Sequence, residues 1–584
     1  MIPFENPRMD STHQPMITKT KYIIAFFVCL LHFFFCYAST EVSPFDFTER
    51  TPKYEVRAVW ITTIGGLDWP HNYARTPSSI ERQKTELCSI LDKLKAANIN
   101  MVFLQARVRG TVIYPSEIEP WDGCMSGKPG VSPGYDPLEF AITECHKRGM
   151  QLHAWVVCIP IGKNNLEGVR HMKRVHPELY VRIKDHGFMR PEKEGTADYI
   201  ASICEEITQN YDVDGIHLDY IRYPEEGRLP GSIDFKRTNI SRIVERICNA
   251  VKSHKPWVML SCSPIGKFKD LPRASSIGWN AYNAVAQDAQ GWLKSGLMDA
   301  LFPMMYFQGK QFYPFAADWK ENSCDKIIAP GLGIYFMSPK EKNWQVDIIT
   351  REMHVLRQLG LGHAYFRSKF FTDDVKGIYK KTKNLIDQYP SLIPAMKWMH
   401  KDPPESPSTI NITSTSNMDN VSWSGAVNNN DSPYLLYNVY CSSTSPVDIG
   451  KAENLIATRL QETSINCPRS DNQERYYVVT AVDRYGNESK PIVAKTKPLS
   501  ASNLQMFSND GKIMKQPAKG KCIDADQLLI KDMVGKIVTT MYWDENAPYA
   551  GQIYSLKDGL YQVYTLNHKG IHHRLGFLKI KREE

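Results

Sequence analysis

The segment Asp214-Gly215-Ile216-His217-Leu218-Asp219-Tyr220-Ile221-Arg222-Tyr223-Pro224 alternates apolar and polar side chains and closes on a carboxylate. In a strand, Ile216 and Leu218 take one face and His217 and Asp219 the other. A carboxylate beside an apolar strand is costly unless it is paired or used. The structural use is an ion pair between Asp219 and Arg222; the chemical use is catalysis from a strand end. Splitting an acetal takes two carboxyl groups, one to protonate the leaving oxygen and one to attack carbon or activate water. Asp219 is the first candidate. Its partner is Glu119, in Tyr114-Pro115-Ser116-Glu117-Ile118-Glu119-Pro120-Trp121, or else Asp288, in Gln287-Asp288-Ala289. Asp214 precedes the strand, at the end where a structural role is expected.

Other polar groups gather at the ends of similar strands. Gln105 and Arg107 alternate with Leu104 and Ala106, and His153 and Trp155 with Leu152, Ala154 and Val156. Ser261 and Ser263 end a fifth strand and Tyr306 a sixth. Gln105, Arg107, His153, Trp155, His217, Tyr220, Arg222 and Tyr306 are therefore candidate substrate-binding residues, with Trp121 as a sugar-stacking platform. Arg57 and Trp60 join them, although they lie on opposite faces of the first strand. His153, His217 and Asp219 form a weaker chelating set, because no HxH, HExxH or CxxC spacing accompanies them. No metal and no cofactor is expected.

Positioning these groups requires the elements around them. From Lys53 to Met399, eight apolar runs read as strands: Val56–Thr62, Met101–Arg107, Gln151–Val157, Gly215–Tyr220, Trp257–Ser263, Ala300–Tyr306, Lys326–Gly333 and Gly362–Arg367. Helical stretches fall between them at Ser78–Ala97, Pro137–Arg148, Thr196–Asn210, Phe235–His254, Tyr282–Ser295 and Trp344–Leu359. Repeated strand–helix units imply parallel strands with right-handed crossovers. Eight units point to a (β/α)8 TIM barrel over residues 53–399, with catalytic groups at the carboxyl ends of its strands. A doubly wound sheet would carry a Gly-rich loop after its first strand, and none is present.

A Pro-rich stretch, Asp402–Pro407, precedes short strands and Asn-, Gly- and Ser-rich turns. Residues 405–498 read as an all-β sandwich, and residues 499–584 as a small C-terminal β-module of unassigned role. Residues 1–38 read as a signal peptide: Lys19 and Lys21, an apolar run from Tyr22 to Cys36, then Cys36-Tyr37-Ala38. Phe33-Phe34-Phe35 makes a poor lipobox ahead of Cys36, so lipidation there is the lesser alternative. Export to the periplasm or cell envelope follows. The 13 Cys do not form a framework, and only Cys441 and Cys467 are candidates to pair. The net charge of +8 over 584 residues, without a basic run, does not imply nucleic acid. The 12 Trp and 29 Tyr suit a carbohydrate surface as well as an ordinary core.

The chain resembles the glycosyl-hydrolase-like family 10, also known as domain of unknown function 187. The resemblance rests on Glu55–Ile61, Phe103–Arg107, Tyr114-Pro115-Ser116, Glu119-Pro120-Trp121, His153-Ala154-Trp155, Gly215–Pro224, Gln287-Asp288 and Pro303–Tyr306. It implies a TIM barrel, an exported bacterial protein, and hydrolysis of polysaccharide such as cell-wall glycan, including peptidoglycan strands without peptides. Where the family often carries Gly-Asp-Ala, this chain has Gly110-Thr111-Val112. Tyr476–Asp483 and Tyr485–Ser489 resemble the late strands of a fibronectin type III domain, with Trp423 as its early core residue. The expectation is an exported glycoside hydrolase. Its rivals are a non-catalytic glycan-binding or scaffold protein and a metal-dependent deacetylase of cell-wall sugars.

Overall fold

The computed structural model describes residues 51–227, 229–415, 417–469, 474–495, 504–508, 527–542, 559–566 and 572–580. The leader with Cys36 and the candidate strand Gly551–Ser555 lie outside the described residues. The parallel strands are β1 (Arg57–Ile61), β2 (Met101–Arg107), β3 (Gln151–Val157), β4 (Gly215–Asp219), β5 (Met259–Cys262) and β6 (Ala300–Leu301). β7 follows in two pieces, Ile327–Ile328 and Gly331–Leu332, and then β8 (His363–Tyr365). The first piece of β7 pairs with β6 and the second with β8, while β8 pairs with β1. The nine sheet segments are thus eight strands closed into a ring, the (β/α)8 barrel.

Local chemistry sets the helices between them. The helix after β1, α1 (Pro77–Ala96), opens on a reciprocal cap between Thr76 and Ser79 with Pro77 in the first turn. The helix after β2, α2 (Pro137–Lys147), opens on Asp136, whose carboxylate accepts from Leu138 and Glu139 N–H. The helices after β3 and β4 are α3 (Glu194–Asn210) and α4 (Ile233–His254). The expected helix Tyr282–Ser295 is broken: Ala281–Ala284 is a single turn, Ala286 has a φ of 64°, and α5 (Ala289–Lys294) starts anew. Two further helices are α6 (Tyr313–Glu321) and α7 (Val346–Gln358). A small antiparallel sheet, Pro160–Lys163, Tyr180–Ile183 and His186–Met189, rises from the loop after β3.

Beyond the barrel, strands Ile410–Ser414, Met418–Trp423 and Ser464–Pro468 form one antiparallel sheet. Leu455–Leu460, Leu436–Ser442, Tyr476–Val482 and Ile492–Lys495 form the other. Trp423, Val439, Tyr477 and Val479 pack between them. The candidate disulfide between Cys441 and Cys467 is not formed. A five-stranded antiparallel sheet follows, in the order Leu504–Ser508, His572–Ile580, Gly559–Leu566, Gln527–Lys531, Ile537–Tyr542.

The sandwich docks on the amino-terminal end of the barrel through Asp214. One carboxylate oxygen of Asp214 accepts from Arg459 Nη2 at 2.5 Å and Arg484 Nη2 at 3.3 Å. The other accepts from His146 at 2.8 Å and from Leu152 N–H at 2.9 Å. Burial opposes its charge, but these cations hold the carboxyl well below the ordinary range. The structural role expected for Asp214 is what the barrel floor shows.

One buried acid has no such partners. Glu352 on α7 is fully enclosed, and neither carboxylate oxygen has a hydrogen-bond partner. Burial pushes its carboxyl well above the ordinary 4.5. The folded protein therefore retains a proton there that the unfolded chain gives up, so this residue subtracts stability as pH rises above about 4.5. Glu352→Gln is expected to melt at a higher temperature than the parent at pH 8, with the gap narrowing towards pH 4.5 in thermal scans. A gap that is constant with pH contradicts the assignment.

Candidate active site

The barrel interior beneath the mouth is aromatic. His217 stacks on Phe103 with ring centres 4.1 Å apart, and Phe302 meets both rings edge-on. Trp60 Nε1 donates to His217 Nε2 at 3.1 Å, and indole N–H can only donate, so the histidine proton sits on Nδ1. That Nδ1–H points to Ser261 Oγ at 3.0 Å. Burial holds the ring neutral by pushing its pKa well below 6.5. His153 lies in the same interior, bonded to Gln151 Oε1 at 3.0 Å, and burial pushes it down to about 4. Trp60, His153 and His217 are enclosed, so none of them reaches a ligand from the mouth. They support the floor instead of binding substrate, and the chelating set is not assembled. Among the described residues, no group of three or more His, Cys, Asp or Glu is placed to hold a metal ion.

Asp219 ends β4 on top of this layer and remains partly exposed. Its Oδ1 accepts from Ser263 Oγ at 2.9 Å and from Tyr220 N–H at 2.7 Å. Its Oδ2 accepts from Trp155 Nε1 at 3.1 Å. Three donors hold the carboxylate in one orientation, an arrangement that suits a nucleophile, base or electrostatic stabiliser. Tyr306, at the carboxyl side of β6, stacks on Phe366. Burial, and then the nearby charge of Asp219, pushes its phenol well up.

The loop after β4 continues this arrangement. Tyr220 adopts a left-handed φ of 54°, and its hydroxyl lies 3.1 Å from a carboxylate oxygen of Glu225 and of Glu226, to either of which its one proton can go. Arg222 lies over the Tyr220 ring at 3.6 Å and donates to Glu225 at 3.3 Å. The ion pair suggested between Arg222 and Asp219 does not form; Arg222 pairs with Glu225. Gln105 Oε1 accepts from Thr63 and Ile64 N–H and so orders the loop after β1.

Both candidate partners of Asp219 have other duties. The pairing of β2 with β3 shifts register between Gln105 and Arg107, a bulge that re-aims the arginine. Arg107 pairs through two nitrogens with Glu119, whose side chain is fully buried and also accepts from Tyr199 of α3 at 3.1 Å. Glu119 therefore presents nothing to the mouth. Asp288 caps α5 by accepting from Gly291 N–H, and no contact joins it to Asp219. Arg57 binds Glu55, Tyr389 O and Ser391 at the amino-terminal end of β1, away from the mouth. Trp121 is half-buried in the loop that bridges to Val112.

Two features escaped the sequence reading. Asp68 and Arg367 pair at the carboxyl ends of β1 and β8, and Asp68 also accepts from Thr62 and Lys369 N–H. A cleft of about 610 Å³ opens among the loops after β1, β2 and β3, lined by Tyr73, Arg109, Asp122 and Lys163 among others. Asp68 follows its strand in a turn that resembles any polar loop, so only closure of the ring brings it to Arg367.

The family model described as Glycosyl hydrolase-like 10 matches residues 55–229 and 223–340. The glycosyl hydrolase DigH of Escherichia coli K12 is 30% identical over 295 residues, 44% of this chain and 67% of its own length. The chain belongs to the glycosyl hydrolase-like 10 family. It is on that ground a glycoside hydrolase, and its substrate is a carbohydrate. The glycosyl hydrolase YngK of Bacillus subtilis 168 is 27% identical over 483 residues, 76% of this chain and 93% of its own. Among solved structures, the PgaB (BpsB) glycoside hydrolase domain of Bordetella bronchiseptica shares 13% identity over 57% of this chain and 99% of its own, with a TM-score of 0.38.

Removing the charge from Glu119 leaves Arg107 buried and unpaired. Glu119→Gln is expected to cost about 3–5 kcal/mol of stability in denaturant unfolding. Turnover per folded molecule should stay within about twofold of the parent. Loss of turnover without loss of stability returns Glu119 to the mechanism.

Proposed function

We propose that this protein is an exported hydrolase of cell-wall polysaccharide, acting on peptidoglycan glycan strands freed of peptides. The reading rests on one observation: a strand-end carboxylate, Asp219, fixed by three donors at the mouth of a barrel of this family. In this reading Asp219 attacks the anomeric carbon or activates water. The leaving oxygen takes its proton from Glu225 or Glu226, the exposed acids on the same loop. Tyr306 flanks the reacting sugar, and Trp155, itself buried, holds Asp219 from beneath. The leader carries the chain to the envelope, and a sandwich of fibronectin type III type braces the barrel from below.

The test is incubation of the mature protein with peptide-free peptidoglycan and with a panel of plant and host glycans, followed by mass analysis of the products. New reducing ends from the peptidoglycan strands are expected. Saturable binding without reducing ends would make this a glycan-binding scaffold. Acetate release abolished by a chelator would make it a deacetylase.

A further inference from the structure

Large apolar side chains remain exposed on the loops that leave the carboxyl ends of the strands, among them Leu67, Tyr73, Ile277 and Trp279. Two of them, Tyr73 and Trp279, are aromatic rings. Tyr73, on the loop after β1, is 52% exposed, and its ring is backed by Gly127 and Arg75. It also lines the 610 Å³ cleft. Trp279, on the loop after β5, is 49% exposed. That loop is tied down: Asp270 accepts from Gly278 N–H at 2.9 Å and from Asn280 Nδ2 at 3.2 Å. Leu271 N–H donates to Ser276 O at 2.8 Å, closing the turn between them.

In a closed ring of eight strands, β1 and β5 stand opposite each other. Tyr73 and Trp279 therefore belong to loops that leave opposite strands of the ring, with Asp219 at the end of β4 beside β5. Flat rings with fixed backbones offer contact area at low entropic cost. Sugar rings present C–H faces that pack on such surfaces, with hydroxyls left free at their edges.

We propose that Tyr73 and Trp279 are outlying platforms for one glycan chain that lies across the mouth, so that the protein cuts within chains and does not trim their ends. This rests on the hydrolase reading for its chemistry, but the platforms can be tested by binding alone.

The experiment measures the affinity of the full-length Asp219→Asn protein for peptide-free peptidoglycan strands and for their disaccharide unit. The same titrations are run with Tyr73→Ala, Trp279→Ala or Trp279→Phe added. Affinity should rise with chain length. Each alanine should weaken binding of long strands about fivefold to tenfold while leaving the disaccharide unchanged. Trp279→Phe should restore most of the loss, which separates a lost ring from a misfolded loop. Affinity independent of length, losses equal for long and short ligands, or no glycan binding overturns the inference. If binding depends on both rings but the parent protein produces no reducing ends, the hydrolase reading fails and the platforms stand. Reducing ends from a protein indifferent to both rings give the reverse.

Discussion

A carboxylate at the end of a barrel strand loses part of its water, and that loss must be replaced by donors. At Asp219 the replacement comes from three directions: an indole N–H from β3, a hydroxyl just past β5, and the backbone N–H of the next residue. Each donor belongs to a different part of the ring, so the carboxylate is oriented only when β3, β4 and β5 are in register. The aromatic layer below, with His217 held in one neutral tautomer between Trp60 and Ser261, packs beneath that register. Electrostatic preorganisation of this kind is what an enzyme needs where charge develops in the transition state.

The other buried charges divide by the end of the barrel they occupy. Below, Glu55, Arg57, Arg357 and Asp387 form an enclosed ionic cluster, and Asp214 receives two arginines from the sandwich. These groups pair mainly with one another, while Asp387 Oδ2 is buried without a hydrogen bond, 3.4 Å from His363 Nε2. Above, Asp219, Tyr306 and the Tyr220–Glu226 loop leave charged and polar groups within reach of solvent. The sandwich therefore braces the strand that carries Asp219 from its far end, at Asp214, without covering the mouth.

Much of this architecture was readable in the sequence because the long strands alternate cleanly. Met101–Arg107 and Gln151–Val157 agree with expectation to the residue. The later strands are shorter than read, because Ala300–Leu301 gives way to Pro303 and the seventh strand is interrupted by Ala329-Pro330, where a proline cannot donate to the ladder. Asp219, Trp155 and Tyr306 were picked from strand-end alternation; Trp155 bonds Asp219, and the charge of Asp219 acts on the Tyr306 phenol. Ser263 was noted at its strand end without a role, and its hydroxyl proves to be one of the donors to Asp219. Arg107 and Glu119 misled, because a one-residue bulge turns the arginine and no periodicity announces a bulge. His153 and His217 were read as ligand-facing because alternation distinguishes inside from outside but not depth, and both lie below the mouth. Asp288 was placed in a helix, whereas it sits at a helix start, where a carboxylate is worth more as a cap.

The account stands on Asp219 as the carboxylate that acts on the acetal. The most direct measurement is turnover of Asp219→Ala on peptide-free glycan strands, with and without added formate or azide, after thermal unfolding has shown the variant to be folded. The account predicts loss of turnover by at least about a thousandfold, partly recovered when the small anion occupies the vacated place beside Trp155 and Ser263. Turnover equal to that of the parent protein would contradict it.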